Sequence, residues 1–306
     1  MPAAYLPSPA SSIWHLGVIP VRAYPLCMVA GVVAALWLTS RRYVRSGGRP
    51  GVVLDIAVIA VPAGLIGARV YSVATDFSRY FGAGRDWTDM LRVWQGGMGI
   101  AGAVAAGGLA AWLFCRRSGI DIGPVALAAA PALAVAQAIA VWGNWFSQTL
   151  YGAPSALPWA VAISPQHRVL SYESAATFQP LFLYESAADL LIAVGISYAI
   201  RRYVLSGGTA FAWYAGLWAV SGAVIEAMRA DYSPRLLGVR SNLLGMLVVL
   251  VAAGTCVAVA DHRRRERGAT DASRTDTRPQ PLRPRSSRAA AELAGPLPRA
   301  DDSEQA

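Results

Sequence analysis

Apolar residues run along this chain in long blocks, not in the alternating or three-to-four-residue rhythm of a half-buried strand or surface helix. The blocks lie near 23–41, 52–74, 96–115, 122–146, 181–200, 209–228 and 242–260, separated by short polar, Gly- or Arg-containing stretches. Each is close to the roughly 20 residues a helix needs to cross a ~30 Å hydrocarbon layer. The pattern predicts an all-α membrane protein with seven transmembrane helices.

Arginine sets the direction of the passes. Arg41, Arg42, Arg45 and Arg49 follow the first block, Arg116 and Arg117 the third, Arg201 and Arg202 the fifth, and Arg263, Arg264 and Arg265 the last. Basic connections stay cytoplasmic, so the N-terminus is expected outside and the C-terminus inside. Arg22 lies on the outer side and is outvoted by the four arginines after the first span. The outer connections are longer and mix arginine with Asp76, Asp86, Asp89, Glu173 and Asp231. No short apolar core with a basic leader and a small-residue cleavage site opens the chain, so the first block is expected to remain as an anchor. Residues 261–306 are rich in Arg, Pro, Ser, Thr and Asp. The expected organisation is a membrane domain with extracytoplasmic loops over 1–260 and a disordered basic cytoplasmic tail over 261–306.

Composition narrows the chemistry. Of 306 residues, 55% are hydrophobic and 15% charged, and the mean hydropathy is +0.40, too apolar for a soluble domain of this size. All 27 basic residues are Arg. Without a lysine amine there is no Schiff base, which excludes a retinal-type light-driven protein. Cys27, Cys115 and Cys256 fall in or beside apolar blocks, and His15, His167 and His262 are scattered. No metal site, disulfide framework or cofactor is expected, and no nucleic-acid partner.

With direction assigned, depth follows from a rise of ~1.5 Å per residue: Arg69, 14 positions beyond Asp55, sits about 21 Å up the second span. Tyr24 opens the first span, Asn144 closes the fourth, and Tyr184 and Glu185 open the fifth. Glu226, Arg229 and Asp231 end the sixth, and Arg240 and Asn242 open the seventh. Polar groups from six spans therefore collect near the outer surface. Intramembrane ionisable groups are rare and mark functional sites, so a site open to the extracytoplasmic leaflet is expected. A transmembrane path is not, because the inner halves are nearly featureless. The segment "GMGIAG" at 97–102 fits GxGxxG but follows no strand, and its glycines are expected to serve close helix packing or to leave backbone bare for a lipid head group to approach.

Several segments then resemble one family, prolipoprotein diacylglyceryl transferase. They are "SPASSIWHLGVIPVRAYPLCMVAG" at 8–31, "GRPGVVLDIAVIAVPAGLIGARVYSVATD" at 48–76, "YFGAGRD" at 80–86 and "VWQGGMGIAGA" at 93–103, with "WGNWFSQTLYGAPSALPWAV" at 142–161, "FQPLFLYES" at 178–186 and "IEAMRAD" at 225–231. The resemblance implies a multi-pass protein of the bacterial plasma membrane that moves the diacylglyceryl group of phosphatidylglycerol to the thiol of a prolipoprotein lipobox cysteine. A thioether forms and glycerol phosphate leaves. Its partners would be phosphatidylglycerol, the lipobox segment and membrane lipid.

This chain departs from the family where charge is expected. Val141 stands where most members carry Arg, two positions before the Gly-Asn pair, and Gly222 where they carry Arg four positions before the glutamate matching Glu226. Ser147 replaces a usual Asn, Thr149 a usual Glu, and Ala101 a bulkier His or Trp, while Ser72 stands where one branch has His. Among retained residues, the resemblance implies phosphate and lipid binding by Arg69, Asn144, Gly152, Arg229 and Arg240, with Tyr184, Glu185 and Asp231 in support. Tyr24 and Glu226 are the catalytic candidates, Glu226 orienting an arginine and either residue taking the thiol proton. A missing preorganised donor commonly costs ~2.7–4 kcal/mol at the transition state. The alternative expectation is therefore a catalytically silent paralogue that binds phospholipid or lipoprotein precursor.

Overall fold

The computed structural model describes residues 5–9, 11–16, 19–75, 81, 88, 90, 99–230, 235, 236 and 239–276. Its helices are α1 (Ala23–Arg45), α2 (Val52–Thr75), α3 (Ile100–Arg117), α4 (Ile122–Ala140), the short α5 (Gly143–Ser147), α6 (Leu181–Arg202), α7 (Gly207–Met228) and α8 (Ser241–Asp276). Among the described residues, six segments are long and apolar enough to cross a membrane: Ala23–Arg45, Val52–Thr75, Ile122–Ser147, Leu181–Arg202, Gly207–Met228 and Asn242–Arg263. The third expected span, 96–115, corresponds to α3, which starts at Ile100 after an extended Gly99 and ends on Arg116 and Arg117. At 18 residues α3 rises about 27 Å, and it is not one of the six. The protein is thus an all-α membrane protein whose outward flanks are apolar: Val58, Leu191 and Val248 are 73%, 72% and 68% exposed.

Local chemistry sets the ends. At the C-terminus of α1, the Gly47 N–H donates to the Val44 carbonyl (3.0 Å) and the Gly48 N–H to that of Tyr43 (3.0 Å). That reversal needs the left-handed φ of +93° at Gly47, which costs glycine little. Asp121 caps α4, its Oδ1 accepting from the Gly123 N–H at 2.8 Å, and Ser206 caps α7 through the Thr209 N–H at 3.2 Å.

Alanine and glycine let the helices approach. Helix α4 carries buried Ala128, Ala130, Ala132, Ala134, Ala136 and Ala138, spaced so that they fall on more than one side of it, and α1, α6 and α7 pack around it. A Cβ at Gly31 of α1 would stand 2.6 Å from the Ala136 carbonyl oxygen, so only glycine permits that crossing. Helices α2 and α3 pack antiparallel in the same way: a Cβ at Gly64 would lie 3.2 Å from the Ala103 oxygen, and one at Gly107 3.1 Å from that of Ala60.

The fourth expected span, 122–146, is not one helix. It breaks at Val141 and Trp142, because the Val141 carbonyl accepts from both the backbone N–H and the Nδ2 of Asn144, each at 3.0 Å. The chain restarts as α5 and stops at Gln148, whose φ is +53°.

Three antiparallel hairpins, absent from the sequence reading, occupy connections at the end of the bundle where α1, α6 and α8 begin and α5 and α7 finish. They pair β1 (Ile13–Leu16) with β2 (Ile19–Arg22), β3 (Val161–Ala162) with β4 (Thr177–Phe178), and β5 (Arg235–Leu236) with β6 (Val239–Arg240). Residues 5–9 add to this end as a strap. The Leu6 N–H donates to the Ala160 carbonyl (2.8 Å), and the Ala162 N–H to that of Leu6 (3.0 Å). Trp145 Nε1 donates to the Pro7 carbonyl at 3.2 Å.

The chain falls into two compact units, Met1–Val259 and Ala260–Ala306. The first holds the bundle and the hairpins. In the second, helical backbone runs on to Asp276, past the boundary expected at 260.

Candidate active site

Glu226, in the last turn of α7, is 3% exposed, and a carboxylate so buried requires partners. Arg229, three residues on and on the same helical face, brings Nη1 to 3.5 Å from Oε2. Arg240, from β6, brings Nη1 to 3.8 Å from Oε1 and also donates to the Glu226 backbone carbonyl. Its Nη2 donates to the Arg229 carbonyl at 2.9 Å, tying the end of α7 to the start of α8. Asn242 completes the set, its Nδ2 donating to Glu226 Oε2 at 3.1 Å. Two guanidiniums and an amide thus converge on one carboxylate, while the arginine side chains keep 20% and 23% of their exposure.

Three other expected residues border this cluster. Glu185 lies within electrostatic range of Arg229 and Glu226, and Tyr24 within range of Glu185 and Arg229. Gly152 reaches it through the backbone, because the Ala230 N–H donates to the Tyr151 carbonyl (3.0 Å) and the Gly152 N–H to that of Gln179 (2.9 Å). A Cβ on Gly152 would lie 3.1 Å from Gln179 Cβ and 3.2 Å from the Met228 oxygen, so glycine allows this loop to close on the end of α7.

The remaining expected residues are engaged elsewhere. Arg69 is buried on α2, its Nε donating to the Met90 carbonyl at 2.7 Å. Tyr184 accepts from Trp159 Nε1 at 2.9 Å. Asn144 spends its amide locally: Nδ2 on Val141, and Oδ1 accepting from Thr149 Oγ1 at 3.0 Å, with Thr149 and Ser147 hydroxyls 2.8 Å apart. Asp231 lies outside the described residues. Asn242 is the residue that depth alone grouped with the site without suggesting a role; its signal was its place two positions after Arg240.

Between α1, α4 and α6 lies a cavity of about 480 Å³ lined by Leu26, Cys27, Ala30, Ala138, Ile139, Trp142, Ser186 and Leu190. It holds no charged group and suits a hydrocarbon chain. Its upper edge is bound by Trp142 Nε1, which donates to Ser186 Oγ at 3.1 Å, and it adjoins Tyr24, whose ring packs on Gly143 so closely that a Cβ there would stand 2.7 Å from Cδ2. An apolar groove therefore lies beside a cationic, hydrogen-bonded head. That is the arrangement an amphipathic phosphate ester requires.

Residues 11–259 match the family model described as prolipoprotein diacylglyceryl transferase. The chain belongs to that family. A Streptomyces avermitilis protein named phosphatidylglycerol–prolipoprotein diacylglyceryl transferase is 45% identical over 266 residues, covering 86% of this chain and 77% of its own. Two Streptomyces coelicolor proteins bearing that name, numbered 1 and 2, are each 44% identical, covering 86% of this chain and 76% and 83% of their own.

At the two positions where the sequence lacks an expected family arginine, the structure is apolar. Val141 is buried in a cluster with Leu150, Tyr151, Leu181, Phe182 and Ile225. A Cβ on Gly222 would meet the Met246 methyl at 2.6 Å, so the thioether of α8 covers that site.

Proposed function

We propose that this protein transfers the diacylglyceryl group of phosphatidylglycerol to the lipobox cysteine thiol of a prolipoprotein. A C–S bond forms as the glyceryl C–O(phosphate) bond breaks, and glycerol phosphate departs with the electron pair. The observation that carries this reading is the convergence of Arg229, Arg240 and Asn242 on buried Glu226, in a chain of this family. Each guanidinium offers five N–H donors in a fixed fork, more than Glu226 takes, and such forks match phosphate oxygens. Arg229 and Arg240 hold the phosphate, Glu226 and Asn242 orient them, and Arg69 supplies a further cation from α2. Tyr24, beside Glu185 and Arg229, relays the thiol proton: its phenolic proton passes to a carboxylate, Glu185 or Glu226, as its oxygen takes the proton from the thiol. One acyl chain occupies the cavity between α1, α4 and α6.

The same reading extends to topology. The chain crosses seven times, α3 being the remaining span, with its N-terminus outside, its site at the extracytoplasmic leaflet of the bacterial plasma membrane, and a basic tail in the cytoplasm. Support comes from the arginines that end α1, α3 and α6, which basic-residue bias assigns to the cytoplasm.

The test is transfer by the purified protein from headgroup- and acyl-labelled phosphatidylglycerol to a lipobox peptide, beside Arg229→Gln and the double variant Val141→Arg, Gly222→Arg. Thioether product from the unmodified protein, lost in Arg229→Gln, is expected. Product from the double variant alone would reduce this chain to a phospholipid-binding role.

A further inference from the structure

The cavity between α1, α4 and α6 is one helical turn tall on each of its walls. Its lining runs from Leu26 to Ala30 on α1, from Trp142 back to Ala138 at the end of α4, and from Ser186 to Leu190 on α6, a rise of about 6 Å each. The hydrocarbon of one leaflet is about 15 Å deep, half of a ~30 Å layer. An acyl chain that enters the cavity beside Tyr24 and runs straight inward therefore outlasts it.

Just inward of the lining, both flanking helices close on α4. On one side Gly31, next to Ala30, lies so near that a Cβ there would stand 2.6 Å from the Ala136 oxygen and 3.3 Å from Ala140 Cβ. On the other side Ile192 and Ala193, the turn after Leu190, pack with Ala130 and Ala134. Val135 lies about 100° round α4 from both Ala136 and Ala134, so it faces the gap between α1 and α6. Its place three residues before Ala138 and four before Ile139 puts it on the cavity side, one turn further in. It is partly buried against the cluster that holds Ile192 and Ala193, and a β-branched side chain in a helix keeps essentially one χ1 rotamer. Val135 is thus a fixed step at the inner end of the cavity.

We propose that Val135 sets the acyl-chain specificity of this transferase, a role that rests on placing an acyl chain of phosphatidylglycerol in the cavity. The upper part of the chain fills the cavity, meets Val135 and turns outward past exposed Leu26 and Leu190 into the surrounding lipid. A cis double bond at mid-chain builds that turn in, whereas a straight saturated chain must leave its extended rotamers to make it. Phosphatidylglycerol with bent chains is the preferred donor.

Competition in one tube tests this as a ratio. Purified full-length protein in detergent receives equal amounts of two phosphatidylglycerols of the same chain length, one straight and saturated, one with a cis double bond at mid-chain, and the thioether products on a lipobox peptide are counted by mass spectrometry. The unsaturated donor is expected to lead by about fourfold, the worth of roughly one methylene kept in apolar contact. Val135→Ala, which lowers the step, is expected to bring the ratio to about one, and Val135→Leu, which raises it, to about eightfold. Val248→Ala, on the outward flank of α8, is expected to leave it unchanged. A ratio near one in the unmodified protein, an unchanged ratio in both Val135 variants, or an equal change in Val248→Ala overturns the step and leaves the transferase reading standing. Absence of product from both donors defeats the transferase reading instead; the ratio of the two lipids retained in native mass spectrometry then decides on the step by the same outcomes.

Discussion

Two polar turns share one end of the bundle, and they solve the same problem in opposite ways. Around Glu226, charge is kept and satisfied across three chain segments: α7, β6 and the first turn of α8. Around Asn144, charge is absent and satisfaction is local, with the side chains of Asn144, Ser147 and Thr149 bonded to one another or to the adjoining backbone. From the sequence, both turns are expected to face the lipid headgroup. The bonds inside the neutral turn fix backbone direction, and the partly exposed guanidiniums of the charged cluster carry donors of the kind that phosphate oxygens accept from.

The sharpest way to break that comparison is to remove its hub. Glu226→Ala leaves two guanidiniums without their buried partner; transfer is expected to fall about 10³-fold, and stability by about 3–5 kcal/mol, read by product formation and thermal unfolding in detergent. Arg240→Gln is expected to cost about 10²-fold in transfer, with Arg240→Lys recovering little of it because a point charge cannot reproduce the fork. Gly152→Ala pushes a methyl against Gln179 and the Met228 carbonyl, for a loss of about 1–3 kcal/mol and a matching drop in activity. Asn144→Ala should cost about 1–2 kcal/mol in stability with the KM for phosphatidylglycerol nearly unchanged. A tenfold rise in that KM would mean that Asn144 touches the lipid and that the two turns are alike. Thr149→Val, which removes only the hydroxyl linking Asn144 to Ser147, is expected to lower stability by about 0.5–1 kcal/mol and leave kinetics intact.

Much of the bundle was legible because a helix in lipid must be apolar along its whole length, so the spans of α1, α2, α6 and α7 follow from runs of Val, Leu, Ile and Ala. The gathering of Glu226, Arg229 and Arg240 was legible too, since ionisable residues at matching depths on adjacent passes have few other partners. The break after Ala140 was not: it depends on one amide reaching three residues back to the Val141 carbonyl, and hydropathy is blind to that bond. Nor were the hairpins, with strands of two to four residues that carry too little alternation to register. Arg69 shows the limit of depth as a guide, because equal height on α2 did not reveal that its Nε is committed to Met90.

The strap at residues 5–9 also has a meaning in time. Leu6 and Ser8 bond to Ala160 and Ala162, with Ser8 and Ala162 separated by 154 positions. A chain made from its N-terminus presents this segment long before its docking strand exists. The strap must wait until α1, α2, α3 and α4 have been made before the loop that receives it emerges. Closing it requires Leu6 and Val161 on the same side of the bilayer, which an even number of crossings between them provides. The strap is thus among the long-range contacts that close late, and limited proteolysis of residues 5–9 would time its closure during biogenesis.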